Sequence, residues 1–304
     1  MEQATIAPQS AEKHTQVRAQ VQAYLAQRLG TGISQNQLAT ELGVSAAQLI
    51  NIKRGDWEQV SEKMLNGILV KTRANNWALV STPNLKYIEA TCNDARQNRR
   101  LLSVFGYTGA GKTTGLTHVR NTTVNTAYVL ANTLMNRKTF LQAILKACGR
   151  TEYGSCLELM QAIVRHLNST SDVLLIIDDA GKLNDNCLRL VQILFDETEG
   201  NAGIVLAGTE KLRHYIDQCA AKDKLGFREI KRRIAFWQAM KRPTGAVVKN
   251  IVGNYGIVDS NAVEYLAKYA DNYGTLKEYV TNALKVATGA DVNRELLVGL
   301  SVGG

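Results

Sequence analysis

The apolar positions change their period along the chain. Val17, Val21 and Leu25, joined by Tyr24 and Leu29, recur with helical spacing until Gly30, Thr31 and Gly32 stop the pattern. Ser34 then precedes a short stretch bearing Leu38, Ala39 and Leu42, which Gly43 breaks. Ser45 precedes another, 46–53, with Leu49 and Ile50 on its inner side. Ser before and Gly after a helical stretch satisfy its free amides and carbonyls, so the pattern predicts two short capped helices joined by a tight turn. Helical spacing resumes at Val60, Met64, Leu65, Ile68 and Leu69, and a linker follows from Asn75 to Pro83.

From Leu85 onward helix and strand patterns alternate. Helical stretches are predicted at 85–97, 140–148, 156–167 and 186–197, and strands at 101–105, 127–130, 173–177 and 203–207. The runs 173–177 and 203–207 are continuously apolar, as a strand covered on both faces requires. This alternation predicts an α/β fold, a parallel sheet sandwiched by helices, whose strand order spacing alone does not give. After Pro243 the pattern becomes helical again, with caps at Ser260 and Thr275 and the stripes Val263, Leu266, Ala267 and Leu276, Val280, Leu284. The expected division is 1–74 helical, 75–84 linker, 85–243 the α/β core and 244–304 a C-terminal helical domain. The first 15 residues are polar and read as disordered, Gly303 and Gly304 read as a frayed end, and Trp57 and Trp77 read as packing residues.

Composition narrows the partners. At 304 residues with a net charge of +9, the chain can bury a sizeable core and favours an acidic partner such as nucleic acid. The five cysteines, Cys92, Cys148, Cys156, Cys187 and Cys219, have no zinc spacing and read as reduced thiols. No apolar run approaches a membrane span and residues 1–13 lack a signal-peptide apolar region, so no membrane partner and an intracellular, cytoplasmic location are expected.

The chemistry concentrates at 106–114, GYTGAGKTT, directly after the first strand. Gly106, Gly111, Lys112 and Thr113 fit G-x-x-x-x-G-K-[ST], a pattern that chance supplies to roughly one chain of this length in a hundred. Glycines let the backbone wrap a polyphosphate, so Gly106, Tyr107, Thr108, Gly109, Ala110, Gly111, Lys112, Thr113 and Thr114 form the candidate nucleotide cradle. Lys112 would reach the β and γ phosphates, and the Thr113 hydroxyl would ligate Mg²⁺. The strand at 173–177 ends in Asp178 and Asp179. A strand ending in acid is by itself an ordinary exit into a loop; behind a P-loop it places Asp178 to hold the Mg²⁺ of a bound ATP.

The segment ISQNQLATELGVSAAQLINIKRG reads as a helix-turn-helix and resembles the small repressor-type DNA-binding domains. That resemblance implies Gln48 and Asn51 at base edges with Lys53 and Arg54 on phosphates; a helical bundle that only packs, or that meets a partner protein, is the alternative. Between Lys222 and Arg242, the residues Lys224, Arg228, Lys231, Arg232, Arg233 and Lys241 make either a solvated face or a functional surface.

The P-loop, the aspartate strand, a strand ending before Thr209, the arginine cluster and a helical lid together resemble the AAA+ ATPases. With the N-terminal helix-turn-helix, the chain is similar to the Mu B-like target-selecting ATPases of DNA transposition, a family related to the Tn7-type transposition regulators. The resemblance makes Asp179 the water-orienting carboxylate, Thr209 the sensor after the next strand, Arg233 (with Arg228 or Arg232 as fallbacks) the arginine finger and Lys277 the second sensor. Two residues depart from the family pattern: Asp179 stands where glutamate is usual, and Lys277 where arginine is frequent. Both point to slow hydrolysis, since aspartate is one methylene shorter and lysine lacks the planar fork.

The resemblance implies an ATP-dependent DNA-binding ATPase that assembles into rings or helical filaments on double-stranded DNA. It would turn the loop 132–138, with Arg137 and Lys138, towards the DNA, and recruit or stimulate a transposase. It also implies a bacterial host cell and a phage or mobile element as the coding source. A nucleotide-gated transcriptional regulator is the alternative. A small-molecule kinase or GTPase would leave the helix-turn-helix unexplained, and the chain has no N-K-x-D motif.

Overall fold

The computed structural model describes residues 18–19, 21–26, 28–30, 33–58, 60–61, 64–65, 67–68, 77, 79–198, 200–287 and 292–302. The expectations placed on 1–15, Val17, Thr31, Gly32, Leu69, Asn75 and 303–304 lie outside these residues. The described chain forms two compact units. One holds the residues as far as Val80, Pro243–Asp271 and those from Thr275 onward; the other holds Ser81–Arg242 with Asn272–Gly274.

In the first unit, two serines start two helices, α1 (Gln35–Leu42) and α2 (Ala46–Arg54). Ser34 accepts the Gln37 amide and Ser45 the Gln48 amide, while each glutamine carbonyl accepts the amide of its serine. These reciprocal capping boxes satisfy amides that a helix start leaves open. Leu38, Ala39, Leu42, Leu49 and Ile52 pack with Val21, Tyr24, Leu25, Leu65 and Ile68, and Trp57 lies partly buried against them. The inner partner of Leu49 is Ile52 rather than the half-exposed Ile50, because residues three apart share a helix face. Gln22 Nε2 donates to the Ile52 carbonyl at 3.0 Å and ties the preceding helical segment to α2.

The second unit alternates helix and strand: α3 (Pro83–Asn98), β1 (Leu101–Phe105), α4 (Lys112–Thr122), β2 (Thr126–Leu130), α5 (Arg137–Ala147), α6 (Cys156–Ser169), β3 (Val173–Asp178), α7 (Asp185–Glu197), β4 (Ala202–Gly208), α8 (Glu210–Ala221), α9 (Phe227–Arg233) and β5 (Ile234–Ala239). The strands form one parallel sheet in the order β2-β3-β4-β1-β5. Central β1, β3 and β4 are buried throughout, which is why their sequences are largely apolar, broken only by Ser103 in β1 and Asp178 at the end of β3. One face packs Leu102, Val104, Leu174 and Ile176 against α3 and α4; the other packs Leu175, Ile177 and Leu206 against a larger core that includes Phe140, Ile163 and Leu194.

The alternation did not reveal β5. It is an edge strand with Ala235 and Phe236 exposed and a basic helix before it, so it lacks the apolar run of its neighbours. Helix α5 starts earlier than the apolar pattern indicates, because Asn136 and Thr139 form a capping box. Arg137 and Lys138 therefore occupy its exposed first turn rather than the preceding loop.

Four helices follow in the first unit: α10 (Gly245–Gly253), α11 (Ser260–Tyr269), α12 (Tyr273–Val286), whose first two residues belong to the second unit, and α13 (Arg294–Val302). Asp259, not Ser260, caps α11, its carboxylate accepting the Ala262 amide at 2.8 Å. Thr275 lies inside α12 rather than at its cap, since the helix already begins at Tyr273. Trp77 stacks on Tyr255 with ring centroids 4.8 Å apart, in keeping with a packing role. All five cysteines are free thiols. No helix among the described residues is long and apolar enough to cross a membrane.

The middle strand, β4, meets α3 closely. A Cβ on Gly203 would overlap the Ala95 carbonyl and the Arg96 amide nitrogen, backbone atoms that cannot rotate away. Gly203→Ala is expected to destabilise the second unit by about 1–3 kcal/mol through overpacking, read as a lower urea midpoint with an unchanged slope.

Candidate nucleotide site

The carboxyl ends of β1, β3 and β4 lie side by side, and the loop 106–111 rises from β1 into α4. Several bonds hold that loop. The Gly106 amide donates to the Gly208 carbonyl at 3.2 Å, and the Gly109 carbonyl accepts the amides of Tyr273 at 3.0 Å and Gly274 at 3.3 Å. Gly109 has φ 83°, a left-handed conformation, and a Cβ there would collide with the Asn272 side chain, so only glycine fits. Buried Asn84 at the start of α3 donates to the carbonyls of Ala110 (3.1 Å) and Lys241 (2.8 Å) and accepts the Lys241 amide (3.0 Å). Tyr107 OH also donates to the Lys241 carbonyl, at 2.8 Å.

Lys112, the first residue of α4, is 8% exposed. Its ammonium donates to the carbonyls of Gly106 at 2.8 Å and Tyr107 at 2.9 Å. Burial pushes its pKa down, while the charges of Asp178, Asp179 and Glu210 pull it up. Lys112, Asp178 and Asp179 thus share one electrostatic neighbourhood with Glu210.

Asp178, at the end of β3, is fully buried. Its Oδ1 accepts the Asp179 amide and its Oδ2 the Tyr128 hydroxyl, each at 2.8 Å. One donor on each oxygen leaves lone pairs for a hard cation. The Asp178 carboxylate and the exposed Thr113 hydroxyl are both oxygen donors, the donor chemistry that Mg²⁺ would take.

Asp179 has left-handed backbone, φ 54°, and leads into a single 3₁₀ turn, Ala180–Lys182. That turn folds Lys182 back so that its ammonium donates to Asp179 Oδ2 at 2.7 Å. Thr209 and Asp179 both line a cavity of about 730 Å³ that Lys182, Lys211 and Tyr215 also border. Thr209 precedes α8 and makes no side-chain cap bond.

The other predicted residues make different contacts or belong to the other unit. Arg233, at the end of α9, pairs through Nε with Asp196 Oδ1 of α7 at 2.6 Å and is 27% exposed. Arg228 pairs with Asp223 at 2.9 Å on the surface, and Arg232 is exposed. Lys277, Gln48, Asn51, Lys53 and Arg54 belong to the helical unit. Gln48 is half-buried and its Oε1 accepts the Ser45 amide at 2.9 Å, which ties the side chain into the cap; Lys53 and Arg54 are exposed. Sequence reasoning missed Asn84, Tyr128, Lys182 and Glu210. None lies in a motif, although Tyr128 sits at an alternating position of a predicted strand that would have placed it on one face of the sheet.

Residues 95–216 match a family model described as an AAA domain. Among solved structures, the chain is similar to the Aeropyrum pernix Orc1 protein in complex with DNA, at 13% identity and TM-score 0.52, covering 74% of this chain and 66%, just under two thirds, of that one. A single-substitution variant of Thermotoga maritima RuvB matches at 16% identity and TM-score 0.47, covering 73% of this chain and 70% of that one. No curated protein sequence matches the chain.

Lys112→Ala removes the only ammonium in the loop. Nucleotide affinity is expected to fall by roughly tenfold or more, as for loss of a charge-assisted bond. Titration with a fluorescent ATP analogue measures it, and wild-type affinity would remove Lys112 from the site.

Proposed function

Taking the second unit as a domain of AAA+ P-loop NTPase fold, we propose that the protein is a slow ATPase that binds duplex DNA as an ATP-dependent oligomer and serves DNA transposition by capturing the target and engaging a transposase. The observation that carries the ATPase part is the cluster of Lys112, Asp178 and Asp179 at the carboxyl edge of the sheet. Lys112 exchanges the carbonyls of Gly106 and Tyr107 for phosphate oxygens, and the loop amides face the same anion. Asp178 and Thr113 hold Mg²⁺, which neutralises phosphate charge when bound.

Asp179 orients the attacking water and draws its proton. Its Oδ2 is bonded by Lys182, so it must leave that pair or act through its other oxygen. Together with the short side chain, this pairing favours slow turnover, as a timer of assembly rather than a motor. Thr209, beside Asp179 in the same cavity, senses the γ-phosphate. Lys277 completes the response as second sensor.

Arg233 acts across the subunit boundary, leaving Asp196 to reach the nucleotide of a neighbouring copy, so that only the oligomer holds a complete site. Arg233→Ala should leave nucleotide affinity nearly unchanged but slow assembly and hydrolysis by roughly an order of magnitude or more. Asp196→Ala breaks the same ion pair while keeping the arginine. Equal losses in the two variants, read by turnover and light scattering, would reduce Arg233 to a structural partner of Asp196.

For DNA, the support is the net charge of +9, the exposed cations Lys53, Arg54, Arg137 and Lys138, and a fold shared with an Orc1 protein whose structure is a complex with DNA. We read α1 and α2 as a helix-turn-helix whose cations meet phosphates. The bond from the Ser45 amide ties the Gln48 side chain into the cap, which weighs against a base-edge contact and favours nonspecific over operator-specific binding. Binding to random-sequence duplex should be stronger with ATP than with ADP and should weaken steeply as salt rises. Binding confined to one sequence, equal with and without nucleotide, would favour the transcriptional regulator instead.

A further inference from the structure

The Asp178 carboxylate is bonded from two directions. Its Oδ1 is served by the backbone of the next residue; its Oδ2 is served from another strand. Leu130 of β2 registers with Asp178 of β3, so Tyr128, two residues earlier, projects from the same face of the sheet. Its ring lies on the side packed by α4, where the Arg120 guanidinium stands 5.7 Å from the ring centroid. The phenol is half-buried and its hydroxyl ends 2.8 Å from Asp178 Oδ2. The Tyr128 hydroxyl is the donor of this bond and the carboxylate oxygen its acceptor.

A fully buried carboxylate has few ways to satisfy four lone-pair directions. With a single backbone donor it could rotate about its Cβ–Cγ bond; the second donor, on the other oxygen, fixes its plane. Carboxylates that hold a metal depend on such outer partners for orientation. We infer that Tyr128 is a positioning residue for Asp178, its hydroxyl holding the carboxylate in the orientation that receives nucleotide-bound Mg²⁺. The inference rests on the reading of Asp178 as the metal carboxylate.

Y128F keeps the ring beneath Arg120 and removes one oxygen. The test measures the affinity of Mn²⁺ for the protein–ADP complex by electron paramagnetic resonance, beside ADP affinity in EDTA. Y128F should weaken metal affinity by roughly 10–100-fold, the range for loss of an outer-shell partner, while metal-free ADP affinity stays at the wild-type value. Unchanged metal affinity, or an equal fall in both quantities, would overturn the inference, the second because it marks a packing role. Replacing Tyr128 with 3-fluorotyrosine keeps ring and hydroxyl and alters only the strength of the donor; a metal affinity that does not move overturns the inference as well. Asp178→Asn separates the two readings. If that variant retains wild-type metal affinity, Asp178 is not the metal carboxylate and the premise fails; if it loses affinity while Y128F does not, only the role of Tyr128 fails.

Discussion

A buried ammonium governs this structure. Lys112 sits at the first turn of α4, where the helix dipole is positive and the sheet excludes water, so both surroundings oppose its charge. Two loop carbonyls and the charges of Asp178, Asp179 and Glu210 offset that opposition. The same pressure would suit the site to an anion, which would relieve an unfavourably placed cation. Holding the cation there requires the loop to keep its shape. Asn84, the Gly208 carbonyl and the Tyr273 and Gly274 amides each bind the loop from a different part of the chain.

The acidic side of the site divides its work between adjacent residues by environment. Asp178 is enclosed and bonded on both oxygens, a geometry for holding something still. Asp179 turns out of the strand in a left-handed conformation and is paired with Lys182, a geometry that can open. A surface-side ion pair of this kind is weak, so exchanging Lys182 for water and phosphate costs little. Arg233 stands in a comparable position, paired with Asp196. In each case a functional charge is held by a partner that competes with its proposed task.

The helical unit follows from local chemistry to a greater degree. Its two capping boxes use side chains three residues from their serines, and its core is filled by residues a helical period apart. The bond from the Ser45 amide ties the Gln48 side chain to the start of its own helix.

The sequence alone determined what is local or periodic. The P-loop spacing, the apolar runs of β1, β3 and β4, the Ser and Gly boundaries of α1 and α2 and the acid at the end of β3 are all legible, because each is imposed by backbone geometry within a few residues. Only the tertiary structure decided the rest. β5 escapes notice because an edge strand needs no apolar run. Tyr273 starts α12 where spacing pointed to Thr275, and its amide is bonded far along the chain, to the Gly109 carbonyl. Asn84 and Tyr128 reach the site through hydrogen bonds to residues distant in sequence, Lys241 and Asp178. A side chain whose role is to hold another residue carries no motif of its own; its partner is chosen by which strands and helices the fold sets side by side.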